Sequence, residues 1–143
     1  MINTYYQLID ALKKEASKEP NCNLQLYPDI YELNSRPDIN YWVFAITPNI
    51  ITADENTITA NLNIFYVDRL DDTNNNHLSI QSAGIQALRN IIFRFNNNNP
   101  ELDIEFPNQY NCFYQKFTDS CSGVYMNVSI TFPSNVCYIG EDN

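Results

Sequence analysis

The only histidine of the chain lies in a short acidic stretch whose residue types could support chemistry. The segment VDRLDDTNNNHLS, residues 67–79, contains three aspartates, three asparagines and His77. An EF-hand calcium loop requires oxygen ligands at its first positions, glycine at the sixth and glutamate at the twelfth. A loop that starts at Asp72 places His77 and Ala83 at those last two positions. The spacing therefore argues against calcium binding.

Acid–base or nucleophilic chemistry is the second interpretation of this stretch. His77 could pair with Asp71 or Asp72, and Ser79 offers a hydroxyl. However, Ser79 is not flanked by the glycines of a nucleophile elbow, and no loop suited to an oxyanion hole is visible. Walker, Rossmann and HExxH motifs are also absent from the sequence. The other acidic residues form no recognisable constellation for a two-metal nuclease: Asp29, Glu32, Asp38, Asp103 and Glu105.

A loop that precedes a helix explains the same residues more simply. On this interpretation a strand ends at Asp68, and Asn75 or Asn76 caps the following helix. Asp71 and Asp72 then lie near the positive end of the helix dipole. The sequence thus predicts a protein without enzymatic activity, metal or cofactor.

Charge and cysteine spacing exclude further classes. A net charge of −9 and a pI near 4.3 argue against a protein that binds nucleic-acid phosphates. No charged-then-apolar leader and no apolar run of ~18 residues is present, so we expect a cytoplasmic origin and no membrane span. The cysteine spacing does not suit zinc, and we expect free, mostly buried thiols at Cys22, Cys112, Cys121 and Cys137.

Two helices are predicted from apolar periodicity. TYYQLIDALKKEAS begins at a capping box formed by Thr4 and Gln7 and ends before Pro20. LSIQSAGIQALRNIIFRF forms the second helix, in which Gly84 permits close packing and Ile80 and Ile91 touch a neighbour. NNNNP, residues 96–100, is predicted to be a polar loop. The apolar seam of the second helix is predicted to be Leu78, Ile85, Leu88, Ile92 and Phe95.

Strands are predicted in three regions. A short extended segment lies within 24–33, and YWVFAITP, 41–48, is followed by a loop, 49–56, and by an alternating strand, 57–67. A second hairpin consists of YNCFYQKFTD and GVYMNVSITFP on either side of the turn DSCSG. The strand 57–67 directs two sets of side chains to opposite faces: Ile58, Ala60, Leu62, Ile64 and Tyr66 to the core, and Thr57, Thr59, Asn61 and Asn63 to solvent.

The order of these elements predicts one α+β domain that spans residues 1–143. Its core is an antiparallel β-sheet built of hairpins, with the two helices packed on one face. This order, and the segments TYYQLIDALKKEAS, YWVFAITP, ITANLNIFYVDRLDD, HLSIQSAGIQALRNIIFRF and FYQKFTDSCSGVYMNVSITFP, resemble the tail terminator and tail-completion proteins of tailed bacteriophages. The 22 asparagines and three glycines indicate an AT-rich genome, similar to those of crAss-like and related phages.

The resemblance implies a virion protein that acts by assembly. Copies would form a homo-oligomeric ring at the head–tail connector, neck or tail end, in contact with other neck, portal or tail proteins. DNA would pass through the channel without specific binding, and the virion would assemble in the cytoplasm of the host bacterium. Its acidic charge would repel the DNA phosphates. The alternative is a small acidic phage protein that inhibits a host factor.

The candidate subunit interface lies on and beside the strand 57–67. We expect this strand to be a sheet edge that pairs with a neighbouring copy, with the loops 49–56 and 68–76 beside it. The interface residues predicted from the sequence are Thr59, Asn61, Asn63, Asp54, Glu55, Asp71 and Asp72.

Overall fold

The computed structural model describes residues 2–28, 42–70, 76–106, 109–116 and 120–134. The expectations for Asp71, Asp72, Asn75 and Cys137 lie outside these residues, as do those for Asp29, Glu32 and Asp38. The described chain contains two helices, α1 (Tyr5–Ser17) and α2 (His77–Asn98). Its strands are β1 (Leu24–Leu26), β2 (Val43–Ala53), β3 (Thr57–Arg69), β4 (Asp103–Glu105), β5 (Asn111–Lys116) and β6 (Ser120–Pro133).

The start of α1 confirms the predicted capping box. The Gln7 backbone N–H donates to Thr4 Oγ1 at 3.1 Å, and Gln7 Oε1 accepts from the Thr4 N–H at 3.2 Å. These bonds satisfy backbone donors that have no partner inside the helix. The helix ends at Ser17, before Pro20, as predicted.

The sheet has the order β1-β2-β3-β6-β4, and β5 also pairs with β6. This arrangement confirms the α+β class, but the sheet is mixed. β1 runs parallel to β2, with Leu24 opposite Val43, so the expectation of antiparallel hairpins throughout was wrong. A parallel pair requires a long connection, and the segment between Leu26 and Val43 provides one.

The strands of each predicted hairpin pair with each other in antiparallel orientation, over other residues than predicted. β2 continues through Pro48 to Ala53, so the first turn is confined to residues 54–56 rather than 49–56. The second hairpin closes between Lys116 and Ser120, so most of the predicted turn DSCSG belongs to β6. Gly123 lies within that strand. The position requires glycine, because a Cβ there would collide with the Tyr66 carbonyl oxygen and the Phe113 ring.

The buried face of α2 confirms Leu88, Ile92 and Phe95 of the predicted seam, and Ile85 packs against the core, but Leu78 does not belong to it. Leu78 is 78% exposed, whereas Ile80 and Ile91 are buried in the core of their own subunit. Gly84 permits close packing, as predicted, because the helix approaches the Tyr66 ring at that position. This contact determines which side of α2 faces the sheet. The buried residues of α2 are Ile80, Gly84, Ala87, Leu88, Ile91, Ile92 and Phe95.

The ends of α2 also correct two expectations. The asparagine run was predicted as a loop, but the helix continues to Asn98, since nothing before Pro100 breaks it. Asn76 occupies the predicted N-cap position. Its side chain donates to the Arg69 carbonyl oxygen at 3.2 Å and makes no capping bond to α2.

We predict that Gly84→Ala will destabilise the fold despite the higher helix propensity of alanine. The new Cβ would lie 2.8 Å from Tyr66 Cδ1, and overpacking of this kind costs about 1–3 kcal/mol. Helix propensity returns about 1 kcal/mol, so we expect a net loss of about 1 kcal/mol in urea unfolding. Ser82→Ala, at an exposed position of the same helix, is the control and should not destabilise. A more stable Gly84→Ala protein would contradict the close contact.

Cys22, Cys112 and Cys121 are present as thiols. Only Cys121 is fully buried, while Cys22 is half-buried and Cys112 is exposed. The expectation that the thiols are mostly buried therefore does not hold for Cys112. Among the described residues, neither helix combines the length and apolar character required to cross a membrane.

Candidate subunit interface

The two helices cover one face of the sheet. Their apolar residues form a single core with one set of strand side chains, including Phe44, Leu62, Ile64 and Met126. The alternation in β3 is as predicted: Ala60, Leu62, Ile64 and Tyr66 are buried, and the residues between them face away from the helices. The opposite face of the sheet thus carries the predicted interface residues Thr59, Asn61 and Asn63.

Asparagine side chains cross-link the strands on this opposite face. Asn61 Nδ2 donates to Asn127 Oδ1 at 2.9 Å and to Ser129 Oγ at 2.7 Å. Asn127 Nδ2 donates back to Asn61 Oδ1 at 2.8 Å and to Asn63 Oδ1 at 3.1 Å. Asn49 Nδ2 donates to the same Asn61 oxygen at 3.1 Å. Three neighbouring strands, β2, β3 and β6, are joined in this way.

A threonine pair extends the cross-links towards the β2–β3 turn. Thr59 Oγ1 and Thr131 Oγ1 are 2.7 Å apart and share a hydrogen bond. Cross-strand pairs of this type stabilise a sheet and fix its side chains. We call this surface the polar face, defined by Asn49, Thr59, Asn61, Asn63, Asn127, Ser129 and Thr131.

None of the seven residues of the polar face is charged, although the chain carries a net charge of −9. All except Asn49 are half-buried, and their side chains are short and hydrogen-bonded to one another. Little side-chain entropy remains to be lost when a partner covers such a surface. Covering it also avoids the desolvation of charged groups.

The turn beside the polar face contains the next two predicted interface residues. Asp54 Oδ1 accepts from the N–H groups of Asn56 and Thr57, both at 2.8 Å, and from the Thr57 hydroxyl at 3.2 Å. These bonds lower the pKa of the Asp54 carboxyl below its ordinary value. Asp54 therefore shapes the turn. Glu55 is exposed at the same tip.

The expectation that the strand 57–67 is a sheet edge was wrong. β3 pairs with β2 on one side and with β6 on the other, from Thr57 to Arg69. Among the described strands, the outer side of β2 beyond Ala45 has no neighbour. This stretch exposes Ile50 (68%) and Ile51 (45%). A bulge between Pro48 and Ile51 interrupts it, a device that discourages uncontrolled edge pairing.

His77 connects the start of α2 to β6, at the end of the sheet opposite the β2–β3 turn. Its Nδ1 lies 3.0 Å from Ser122 Oγ, and Ser122 donates its only hydroxyl proton to the Phe113 carbonyl oxygen at 3.3 Å. His77 therefore donates to Ser122. Ser122 is fully buried, and Ser79 is exposed on the surface of α2. Sequence reasoning did not find the pairing with Ser122, which lies 45 residues away in the chain.

Within the described ranges, no group of three or more His, Cys, Asp and Glu side chains is placed to hold a metal ion. The chain matches no protein-family model and no curated protein sequence.

Proposed function

We propose that this protein is a structural subunit of a tailed-phage virion that forms a ring at the head–tail connector, neck or tail end. It performs no catalysis and requires no cofactor. The observation that carries the proposal is the uncharged, internally hydrogen-bonded polar face on an otherwise strongly acidic chain. The resemblance in element order to tail terminator and tail-completion proteins supports the same function.

The absence of charged residues makes the polar face the suitable contact between identical copies. Copies of a protein with a net charge of −9 repel one another, so they associate best through a surface that contributes no charge. A ring requires a head-to-tail contact, in which the polar face of one copy meets a different surface of the next. The exposed Ile50 and Ile51 beside it add apolar area to the contact.

Acidic residues border the polar face along β4. Glu101, Asp103 and Glu105 are exposed near and within this strand, and Asp103 and Glu105 pair with Thr131 and Ser129, so their carboxylates lie at the edge of the polar face. Carboxylates that line a channel repel DNA phosphates and keep the duplex mobile. DNA would thus pass without specific binding, while neighbouring neck, portal or tail proteins contact the ring during assembly in the host cytoplasm.

The test is to place one charge on the polar face. Asn63→Lys should fold, because Asn63 is half-buried and contributes only the acceptor for Asn127. We expect this variant to be absent from purified particles in a complementation assay, because the buried ammonium would lack a partner. Ser82→Lys adds the same charge on the exposed side of α2 and should be incorporated normally.

Circular dichroism of both purified variants distinguishes failed assembly from failed folding. Normal incorporation of a folded Asn63→Lys protein would exclude the polar face as the contact. Cryo-electron microscopy of the particle provides the second readout, in which the subunit should form a symmetric ring around the DNA channel. A position away from the channel axis, or absence from the particle, would contradict the ring and favour the inhibitor alternative.

A further inference from the structure

A cleft of about 520 Å³ opens on the helical side of the sheet, away from the polar face. Its walls come from the residues that follow α1, from the residue before β2, from β3 and from the middle of α2. Six lining residues matter for its chemistry: Asn21, Trp42, Tyr66, Asp68, Gln86 and Asn90.

One carboxylate of the cleft, Asp68, makes no side-chain ion pair within 4 Å to a described residue, although the charge of Arg69 acts on it. Glu19 also lines it, but Arg94 Nη1 donates to Glu19 Oε2 at 2.8 Å and balances that charge. Asp68 accepts one hydrogen bond, from the Arg69 backbone N–H to Oδ1 at 2.8 Å. Burial raises the pKa of the Asp68 carboxyl, and the bond and charge of Arg69 offset this only in part. A cation in the cleft would relieve that partial desolvation.

Tyr66 supplies a second polar group to the cleft. The residue is only 4% exposed, its ring lies between Gly84 and Trp42, and the Trp42 and Tyr66 ring centroids are 4.5 Å apart. It lines the cleft, and its hydroxyl makes no hydrogen bond to a described residue. Burial and the nearby Asp68 charge raise the pKa of this hydroxyl, so it remains neutral and can accept a bond from a cation.

The other polar atoms of the cleft are arranged to leave acceptors available. Trp42 Nε1 donates to the Pro20 carbonyl oxygen at 3.2 Å, so the indole has no further donor to offer. Gln86 Nε2 donates to Asn90 Oδ1 at 2.9 Å, which leaves Gln86 Oε1 as an acceptor. Aromatic surface beside a carboxylate and neutral oxygen acceptors is the combination that binds organic cations.

We propose that this cleft binds an organic cation with a guanidinium or alkylammonium head. Asp68 supplies the counter-charge, the Tyr66 hydroxyl accepts a hydrogen bond, and the small exposed parts of the Trp42 and Tyr66 rings contact the apolar part. The head belongs either to a free small molecule or to an arginine or lysine side chain of another protein. This site is separate from the polar face and does not depend on the ring.

Trp42 is the only tryptophan of the chain, so its fluorescence reports directly on the cleft. The probe is n-butylguanidinium chloride, and its neutral control is n-butylurea at the same ionic strength. We expect a saturable change with the cation and none with the urea. The tripeptides Gly-Arg-Gly and Gly-citrulline-Gly test the protein source of the same head, and binding of either cationic probe supports the site.

Asp68→Asn should weaken binding of n-butylguanidinium about tenfold, because it removes a charge-assisted hydrogen bond. The matched control is Asp103→Asn, which removes a charge from an exposed position of β4 and should change the Kd less than twofold. Tyr66→Phe should weaken binding several-fold. Thermal melts establish that each variant is folded.

If Asp68→Asn is unstable, Gln86→Lys provides a second test of cation binding in the cleft. Position 86 is exposed on α2, and a lysine there would place its own ammonium in the cleft and weaken binding about tenfold. Equal binding by the native protein and the folded cleft variants, or the same response to n-butylurea, would overturn the proposal. The absence of a saturable response to both cationic probes would overturn it as well.

Discussion

Thr59→Pro will strongly destabilise the protein. Thr59 lies opposite Thr52 of β2 and opposite Thr131 of β6, in a strand with neighbours on both sides. Proline has no N–H to donate to a sheet ladder and is found essentially only at sheet edges or bulges. We expect a loss of about 3 kcal/mol, because a ladder hydrogen bond is lost and its acceptor is left unpaired. This is a large part of the roughly 5–15 kcal/mol that stabilises a typical domain.

The measurement is far-ultraviolet circular dichroism together with urea unfolding. Thr59→Val is the matched control, because valine keeps the shape and the strand preference of threonine. It removes only the hydroxyl shared with Thr131, so the variant should fold with a loss of about 1 kcal/mol. A Thr59→Pro protein with the same free energy of unfolding as Thr59→Val would mean that β3 is an edge.

The same substitution separates what the sequence could predict from what it could not. The alternation in residues 57–67 identified a strand and the side chains of its two faces, because strand periodicity is local. The number of neighbours of that strand is not a local property. β6 pairs with it across more than fifty residues of intervening chain, and an alternating pattern of this kind suits an edge strand and a central strand equally.

Helices show the same division between local and distant causes. The capping box of α1 was predictable because Thr4 and Gln7 are three residues apart and satisfy each other's backbone. The buried face of α2 was predictable only in part: Leu88, Ile92 and Phe95 are buried as predicted, but Leu78 was included wrongly, because apolar residues lie on more than one side of this helix. Contact between Gly84 and Tyr66 selects the face that meets the sheet, and this contact joins two separate elements.

Candidate sites depend still more on distant contacts. Asn61 and Asn63 were chosen from the sequence because they alternate with the core, but their partner Asn127 could not be foreseen. No pattern in the sequence indicated the cleft. Its residues Asn21, Trp42, Tyr66 and Gln86 come from separate elements or the segments that connect them, and none belongs to a recognisable motif.

Arg94→Met should cause the second large loss of stability. The side chain joins α2 to α1: Nε and Nη1 donate to the carboxylates of Glu15 and Glu19, and Nη2 donates to the Glu15 carbonyl oxygen at 3.1 Å. Both carboxylates are buried, with Glu15 only 5% exposed. Methionine retains the apolar stem but leaves Glu19 without this cation. We expect a loss of about 3 kcal/mol, near the low end for a buried pair because Arg94 remains one-third exposed.

Urea unfolding at neutral pH measures this loss, and Arg89→Met is the control. Arg89 is an exposed arginine on the same helix, and its replacement should change the free energy of unfolding by less than about 0.5 kcal/mol. Equal effects of the two substitutions would show that the Glu15 and Glu19 carboxylates do not depend on Arg94.

Acidification should reduce the difference between the native protein and Arg94→Met. Burial alone raises the pKa of Glu15, but the hydrogen bonds and charges of Lys18 and Arg94 outweigh it, and the folded pKa lies below the ordinary value of 4.5. A lowered folded pKa contributes stability that is present above the unfolded pKa and lost as the pH falls through the folded value. Arg94→Met removes part of this contribution, because burial then raises the Glu15 pKa with only Lys18 opposing it. The native protein should therefore lose more stability than the variant as the pH falls below about 4.5. A difference that stays constant through this range would mean that Arg94 acts through the packing of its stem and not through its charge.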